Sequence, residues 1–559
     1  MHESGCTGSV SVRQMRTESL PFSSVPLQSK LFLQYLDDPG ELKHFYPEAV
    51  GSYREITGKV ENVLEHYTTD RARLCDALSS INKDYGAGDA TMANIELLRG
   101  SRTVAVLTGQ QTGLFTGPLY SIYKAISAIK LAEYLRSVGV DAVPVFWMAT
   151  EDHDLDEVSN AFAIGNTNEL VESRFIPQQS DVEMPVGRVK LNGSADRAIQ
   201  EFFNALPQTE CTADVLEQVK DSWKQGSGFG KAFGTFLTSL LGKYGLIIVD
   251  PLDEEIKQLS SPIYSQASEK SGEIVKALVE RGKELEEAGY HAQVLVEDDY
   301  FPLFWHDETG RRIALRRTSD GTLRVKGGRQ TFTDQEIAAL ARTEPSRLSP
   351  GVMLRPVVQD HLFPTVCYFG GGAEIAYFAQ NSEVYRILDR PVTPIMHRQS
   401  FTVIEAKHAR TLEKYNLCFS DLFAGKEEIL PRVIDEFIDP ASAKMFAEVE
   451  ESINTELNRL DQSLSRLDVT LAENLATRRR KVLYHIAALR KKYYFRRSET
   501  DETINRRVKA AFDALLPNGQ LQERVLNVVS FLDRYGPAFI DAVYDSIDLD
   551  DKGHRIIYL

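Results

Sequence analysis

The sequence predicts an α/β protein with a parallel-sheet core, two inserted connecting modules and a C-terminal α-helical coiled coil. Three observations carry this prediction. Strand-length apolar runs alternate with helical periodicity at 101–163 and again at 346–405, the order that builds parallel sheets. Strand-like segments and turns interrupt that alternation at 164–240 and 288–345. From Phe446 to Leu471, apolar residues recur at three-and-four spacing, resuming at Val482, Ile486, Leu489 and Tyr493. That spacing marks a long coiled-coil helix.

In chain order, residues 1–24 are polar, lack the apolar core of a signal peptide and read as a disordered tail. Residues 25–163 hold N-terminal helices and the first half of the core, with strands at Val104–Leu107 and Ala142–Met148 and a helix marked by Ile122, Ile126 and Ile129. Connecting module 1 (164–240) begins strand-like and turns helical. Residues 241–287 return to the core through the apolar run before Asp250 and Pro251. Connecting module 2 (288–345) is β-rich, its hairpins punctuated at Asp307–Gly310, Ser319–Gly321 and Lys326–Gly328. Residues 346–410 complete the core, 411–520 form the coiled coil, and 521–559 pack back on the core. The coiled-coil seam suits an intramolecular hairpin or a homodimer. The basic stretch between Arg478 and Arg497 suits a solvated face or an anion site.

A net charge of −16 and a pI near 5.3 over 559 residues exclude a general nucleic-acid binder, which needs a basic face. No apolar stretch approaches a membrane span, so cytoplasm is expected. Cys6, Cys75, Cys211, Cys367 and Cys418 are scattered without a CxxC pair, as reduced thiols are. Cys367, inside an apolar run, reads as a small buried hydrophobe.

Two loops stand out. The first follows the 104–107 strand and carries Gly109, Gln110, Gln111, Thr112, Gly113, Thr116, Gly117 and Tyr120 before a helix. A helix N-terminus offers unpaired N–H groups and a positive dipole end, which suit a phosphate or carboxylate. The same glycines also serve a turn that needs positive φ. The second loop follows Met148 and crowds Glu151, Asp152, Asp154, Asp156 and Glu157 around His153. Ligands in open α/β sheets sit beyond the carboxyl ends of strands, so both loops are expected at one crevice.

The runs TGQQTGLFTGPLYSIYKAI and VPVFWMATEDHDLDE resemble the signature of the bacillithiol-biosynthesis cysteine ligase family, the BshC family. Arg355 with Gln359, the Gly370–Tyr377 segment, Arg398 and Asp533–Pro537 fit the same resemblance, which covers the chain after about residue 25. It implies a Rossmann-like core, similar to class I nucleotidylyltransferases, and a homodimer formed through the coiled coil. It also implies a ligase that joins cysteine to glucosaminyl-malate.

Amide formation in water needs an activated acyl group, cations for the leaving group and acids that hold an ammonium or take its proton. ATP with Mg²⁺ is the expected activator, with no metal held by protein ligands alone. Glu151, Asp152, His153 and Asp154 are the catalytic candidates. The first loop, Lys124, Arg355, Gln359, Gly371, Gly372, Glu374, Tyr377 and Arg398 are the substrate or nucleotide candidates. One departure concerns the activation step. Class I adenylating enzymes place two histidines around a glycine, where this chain has Phe115 and Pro118. A nucleotidyltransferase-like enzyme acting on another small acid or amino sugar, and a non-catalytic coiled-coil scaffold with a ligand pocket, are the alternatives.

Overall fold

The computed structural model describes residues 16–559 apart from 438 and 501, and the side chains of 469, 495, 497–500, 502 and 503 also lie outside the description. Residues 1–15, with Cys6, and the Arg497 side chain therefore lie outside the described residues. The chain divides into two compact units. One comprises the residues up to Thr402 together with Gln522–Ile557, the other Val403–Leu521 with the last two residues.

The larger unit is built on five parallel strands: β1 (Val104–Gln110), β2 (Ala142–Met148), β3 (Ile247–Val249), β4 (Thr365–Gly370) and β5 (Ile395–His397). Their spatial order is β3-β2-β1-β4-β5, every pairing parallel. This is the doubly wound order, whose direction of winding reverses between β1 and β4. All seven residues of β2 and six of the seven in β1 are buried. That is why both strands read as near-continuous apolar runs rather than as alternating ones. Helix α1 (Tyr120–Ser137) packs on both strands with Ala128, Leu131, Ala132 and Leu135 against Val104, Val106, Val366 and Cys367. Cys367 is wholly buried, and burial pushes its thiol up.

Module 1 pairs Asn160–Ile164 with Leu170–Arg174 antiparallel and continues as three helices. Module 2 is a five-stranded sheet of antiparallel pairs, closed by Leu348–Pro350 against Leu303–His306. The tail expectation fails for residues 17–20. They form a strand paired antiparallel with His554–Ile557, so an apparently structureless polar segment is fixed by a partner more than five hundred residues away.

In the smaller unit, α2 (Pro440–Leu467) and α3 (Val469–Thr500) pack together as a hairpin. Much of the basic stretch is paired within this unit. Arg479 donates to Asn454 at 3.0 Å and Asn458 at 2.7 Å, Arg490 pairs with Asp435 at 2.7 Å, and Lys491 with Glu427 at 2.9 Å. Met445, Val449, Leu460, Leu471, Val482 and Leu489 stay exposed on the hairpin.

Candidate active site

The carboxyl ends of β1, β2 and β4 open into one cavity of about 540 Å³, at the switch point between β1 and β4. Gly109, Gln110, Gln111, Tyr120, Lys124, Glu151, Asp152, His153, Arg355, Gly371, Gly372, Glu374 and Arg398 all line it. Parallel register explains part of this convergence. Gly109 pairs with Trp147 and Gln110 with Met148, so both loops leave the sheet at the same level. A Cβ on Gly109 would stand 2.8 Å from the Trp147 carbonyl oxygen, so glycine is required there by close approach.

The floor carries buried, paired charges. Lys124 Nζ pairs with Glu374 and donates to the Gly109 carbonyl and to Gln110 Oε1, each at 2.9 Å. Burial pulls the ammonium of Lys124 down to about 8 although Glu374 favours its charge. Burial alone would raise the Glu374 carboxyl, but Lys124 and the Gly371 N–H, 2.8 Å away, hold it below the ordinary value. Arg398 makes a two-pronged contact with Glu523 at 2.9 and 2.7 Å. Glu523 also accepts from Ser400 Oγ at 2.7 Å, and Ser400 contacts His554 Nδ1 at 2.7 Å. Burial, with Arg398 adding to it, lowers His554 to about 4.

The opposite wall is less buried. Gln111 Nε2 donates to Asp152 Oδ2 at 3.1 Å and to Glu157 Oε2 at 2.6 Å, bridging two carboxylates. Burial would raise Asp152, yet Arg312 and Gln111 hold it below the usual range, whereas burial raises Glu157 against the pull of Gln111. Behind them Glu151 pairs with buried Lys257, and burial raises the acid and lowers the amine. Arg312 comes from module 2. It stacks 3.6 Å from the Phe304 ring centroid and donates to Ser349 Oγ at 3.0 Å, the Pro350 carbonyl at 3.0 Å and His153 Nδ1 at 3.2 Å.

Several candidates lie elsewhere. Asp154 is exposed and caps the short helix Leu155–Val158 through the Glu157 N–H at 3.2 Å. Adjacent side chains in that turn point apart. Thr112 and Thr116 are buried away from the cavity, Thr116 donating to the Phe115 carbonyl at 2.5 Å. Gly113 and Gly117 border an adjoining groove of about 200 Å³. A Cβ on Gly113 would meet the Gly117 Cα at 2.7 Å, so these two glycines serve each other's backbone. The Gln359 side chain is fully buried with no hydrogen-bond partner among the described residues, and Tyr377 receives Arg355 at 2.6 Å behind the wall.

The second half of the first loop turns inward. Phe115, Thr116 and Gly117 take positive φ values of 52°, 76° and 70°. The N–H groups of Gly117, Leu119 and Ser121 donate to the carbonyls of Leu114, Leu526 and Pro118. Asn527 Nδ2 clamps the carbonyls of Leu114, Phe115 and Gly117 at 3.2, 3.0 and 2.8 Å. Phe115 packs edge-on against Phe202 and Trp223, turned into module 1. Among the described residues, no group of three or more His, Cys, Asp or Glu is placed to hold a metal ion.

Two family profiles cover nearly the whole described chain. One, described as "Bacillithiol biosynthesis BshC, N-terminal Rossmann-like domain", matches residues 15–399, and its C-terminal coiled-coil companion matches 401–559. The chain belongs to the bacillithiol-biosynthesis BshC family. Relatives named "Putative cysteine ligase BshC" agree. The Koribacter versatilis protein is 33% identical over 97% of this chain and 100% of its own length, and that of Salinibacter ruber 32% over 94% and 96%. The Solibacter usitatus protein is 33% identical over 96% and 98%. A solved structure titled a putative arginyl tRNA synthetase from Campylobacter jejuni matches at 10% identity and a TM-score of 0.21, covering 87% of this chain and 98% of that one. That likeness is too weak to bear on the fold.

Family membership does not by itself point to the groups missed in sequence. Tyr300, Phe304 and Arg312 from module 2, and Glu157 and Arg524, also line the cavity. Glu157 stood within the acidic run and shared its signal. Arg312 had none, since it lies 159 residues from the histidine it contacts.

Proposed function

We propose that this protein joins the carboxyl group of cysteine to the amino group of glucosaminyl-malate, the last step of bacillithiol biosynthesis. The observation that carries the reading is the Gln111 bridge. Two carboxylates, Asp152 and Glu157, converge on one amide nitrogen at the cavity wall. A substrate ammonium taking the place of those amide hydrogens would meet two acceptors, Asp152 half-buried and Glu157 exposed. Asp152, held ionised by Arg312 and Gln111, binds the ammonium. Glu157, raised by burial, is the better proton acceptor when the amine becomes a nucleophile. Glu157 takes one proton from the ammonium, the free amine bonds the acyl carbon of an activated cysteine as that carbon's bond to its leaving group breaks, and the leaving group departs with its electron pair and the second nitrogen proton. Arg355, whose side-chain hydrogen bond among the described residues is to Tyr377, turns toward the same cavity and suits a substrate carboxylate.

ATP with Mg²⁺ would supply an activated acyl group if bound. Two features of the first loop disfavour a polyphosphate there: Lys124 is committed to Glu374, and the loop's second half is clamped by Asn527. No nucleotide or metal enters the steps above. The reading also includes cytoplasmic location, consistent with the free cysteines among the described residues. No described helix is long and apolar enough to cross a membrane.

Asp152→Asn tests the reading. Cells with this variant as the sole copy should make about 100-fold less of the cysteine-containing thiol, measured by mass spectrometry, at unchanged melting temperature of the purified protein. Wild-type product levels would sink it. The homodimer rests on the apolar residues left exposed on the α2–α3 hairpin. Leu460→Asp with Leu489→Asp should convert a dimer to a monomer by light scattering at micromolar concentration, and a monomeric wild type would contradict it.

A further inference from the structure

His153 has two ring nitrogens, and the structure accounts for one of them. Arg312 Nη1 lies 3.2 Å from Nδ1. A guanidinium only donates hydrogen bonds, so Nδ1 is the acceptor and carries no proton. The competing arrangement, Nδ1–H donating to Asp152 Oδ1, spans 3.7 Å, beyond hydrogen-bond reach. The ring proton therefore belongs on Nε2, which has no hydrogen bond among the described residues, on a side chain that lines the cavity.

Arg312 is itself fixed from four sides. Its Nε donates to Ser349 Oγ and its Nη2 to the Pro350 carbonyl, the guanidinium lies over the Phe304 ring, and Asp152 faces its charge at 3.7 Å. Ser349 Oγ is in turn 2.9 Å from buried His306 Nε2. We infer that Arg312 is a positioning residue. It holds His153 as the neutral Nε2–H tautomer, so the imidazole meets the substrate as a hydrogen-bond donor rather than as a base. This rests on the amide-forming reading, in which a donor at that point stabilises the acyl oxygen as it gains charge.

The charged groups around the ring are consistent. Arg312 and burial oppose protonation, while Asp152, Glu183 and Asp154 favour it, and the balance lowers His153 below its ordinary value.

The test has two parts. In full-length protein labelled with ¹⁵N-histidine, without substrate, the His153 signals are assigned by their loss in His153→Gln. The expected result is an unprotonated Nδ1 and a protonated Nε2 at neutral pH, with half-protonation below the ordinary value of about 6.5. Arg312→Met should mix the tautomers and raise that midpoint. A wild-type Nδ1–H tautomer would overturn the inference, and so would an Arg312→Met spectrum that titrates like wild type. The wild-type spectrum decides the tautomer even if Arg312→Met fails to fold.

The donor role is read in cells. Glutamine places its amide N–H near the Nε2 position and asparagine near Nδ1, so His153→Gln should retain at least about tenfold more product than His153→Asn, roughly one hydrogen bond to a developing charge. Equal product from both would overturn the donor role. Failure of the ligase reading itself shows separately, as wild-type product from Asp152→Asn cells with the tautomer intact.

Discussion

Two clusters of charge line the same cavity and differ in kind. On the floor, Lys124 and Arg398 are 3% and 5% exposed at their side chains, and the glutamates to which they are committed, Glu374 and Glu523, are 15% and 1% exposed. On the wall, Asp152 and His153 are 33% and 36% exposed, their partners being one amide and one guanidinium. A buried ion pair is costly to break, because the survivor is left charged in a poorly solvated place. A half-buried carboxylate that shares an amide hydrogen can exchange that partner for a substrate. The difference assigns architecture to the floor and chemistry to the wall, although both carry ionisable groups.

The largest effect expected on this division is on the floor. Glu523→Gln leaves Arg398 without its carboxylate and should cost about 3 kcal/mol or more in chemical denaturation. A loss below about 1 kcal/mol would place Arg398 among the adaptable groups and break the comparison.

A smaller floor effect depends on pH. The unfolded chain protonates His554 below about 6.5, whereas the folded chain does so only near about 4. Between these values the unfolded state binds more protons, so this contribution is present above 6.5 and lost as pH falls toward 4. Lowering pH from 7 to 5 should remove about 2 kcal/mol through this residue. Denaturation curves of His554→Gln at the two pH values should show a correspondingly flatter dependence. An equal dependence in both proteins would assign the acid lability to other groups.

The last and smallest effect sharpens the wall against its neighbouring loop. Gln111→Ala removes the amide that the substrate ammonium displaces from Asp152 and Glu157, and should tighten calorimetric binding of the amine substrate about tenfold, or 1–2 kcal/mol, without moving the melting temperature. Thr116→Ser, five residues on, should leave affinity within about twofold, since Thr116 faces its own backbone. Affinity shifts of similar size in both would return Thr116 to the binding surface.

These contrasts also show what could be read from sequence. β1 and β2 were legible because burial on both faces removes the alternation that would otherwise blur a strand into a loop. Module 2 was legible from its turns, and the hairpin from its spacing. The cavity was legible as two loops at neighbouring strand ends. The direction of individual side chains was not. Gln111 and Thr116 share a loop and a polar character, yet only Gln111 faces the cavity, because positive φ at Phe115, Thr116 and Gly117 turns that stretch inward. Positive φ at Phe and Thr leaves no compositional trace. Arg312 and Glu523 were invisible for another reason. Their partners are distant in the chain, and a lone arginine or glutamate carries no local sign of what it will meet.

The Asn527 clamp and the Arg398–Glu523 pair have a consequence for the order of synthesis. Glu523 follows Arg398 by 125 residues, and Asn527 follows the loop it pins by more than 400. Residues 403–521, a compact unit of their own, are made in between. During translation the sheet and both modules are complete while Arg398 lacks its carboxylate and the 114–117 turn its clamp. The cavity is therefore finished only when Glu523 and Asn527 emerge. A chain that ends within the helical unit would carry Arg398 without its carboxylate and the 114–117 turn without its clamp.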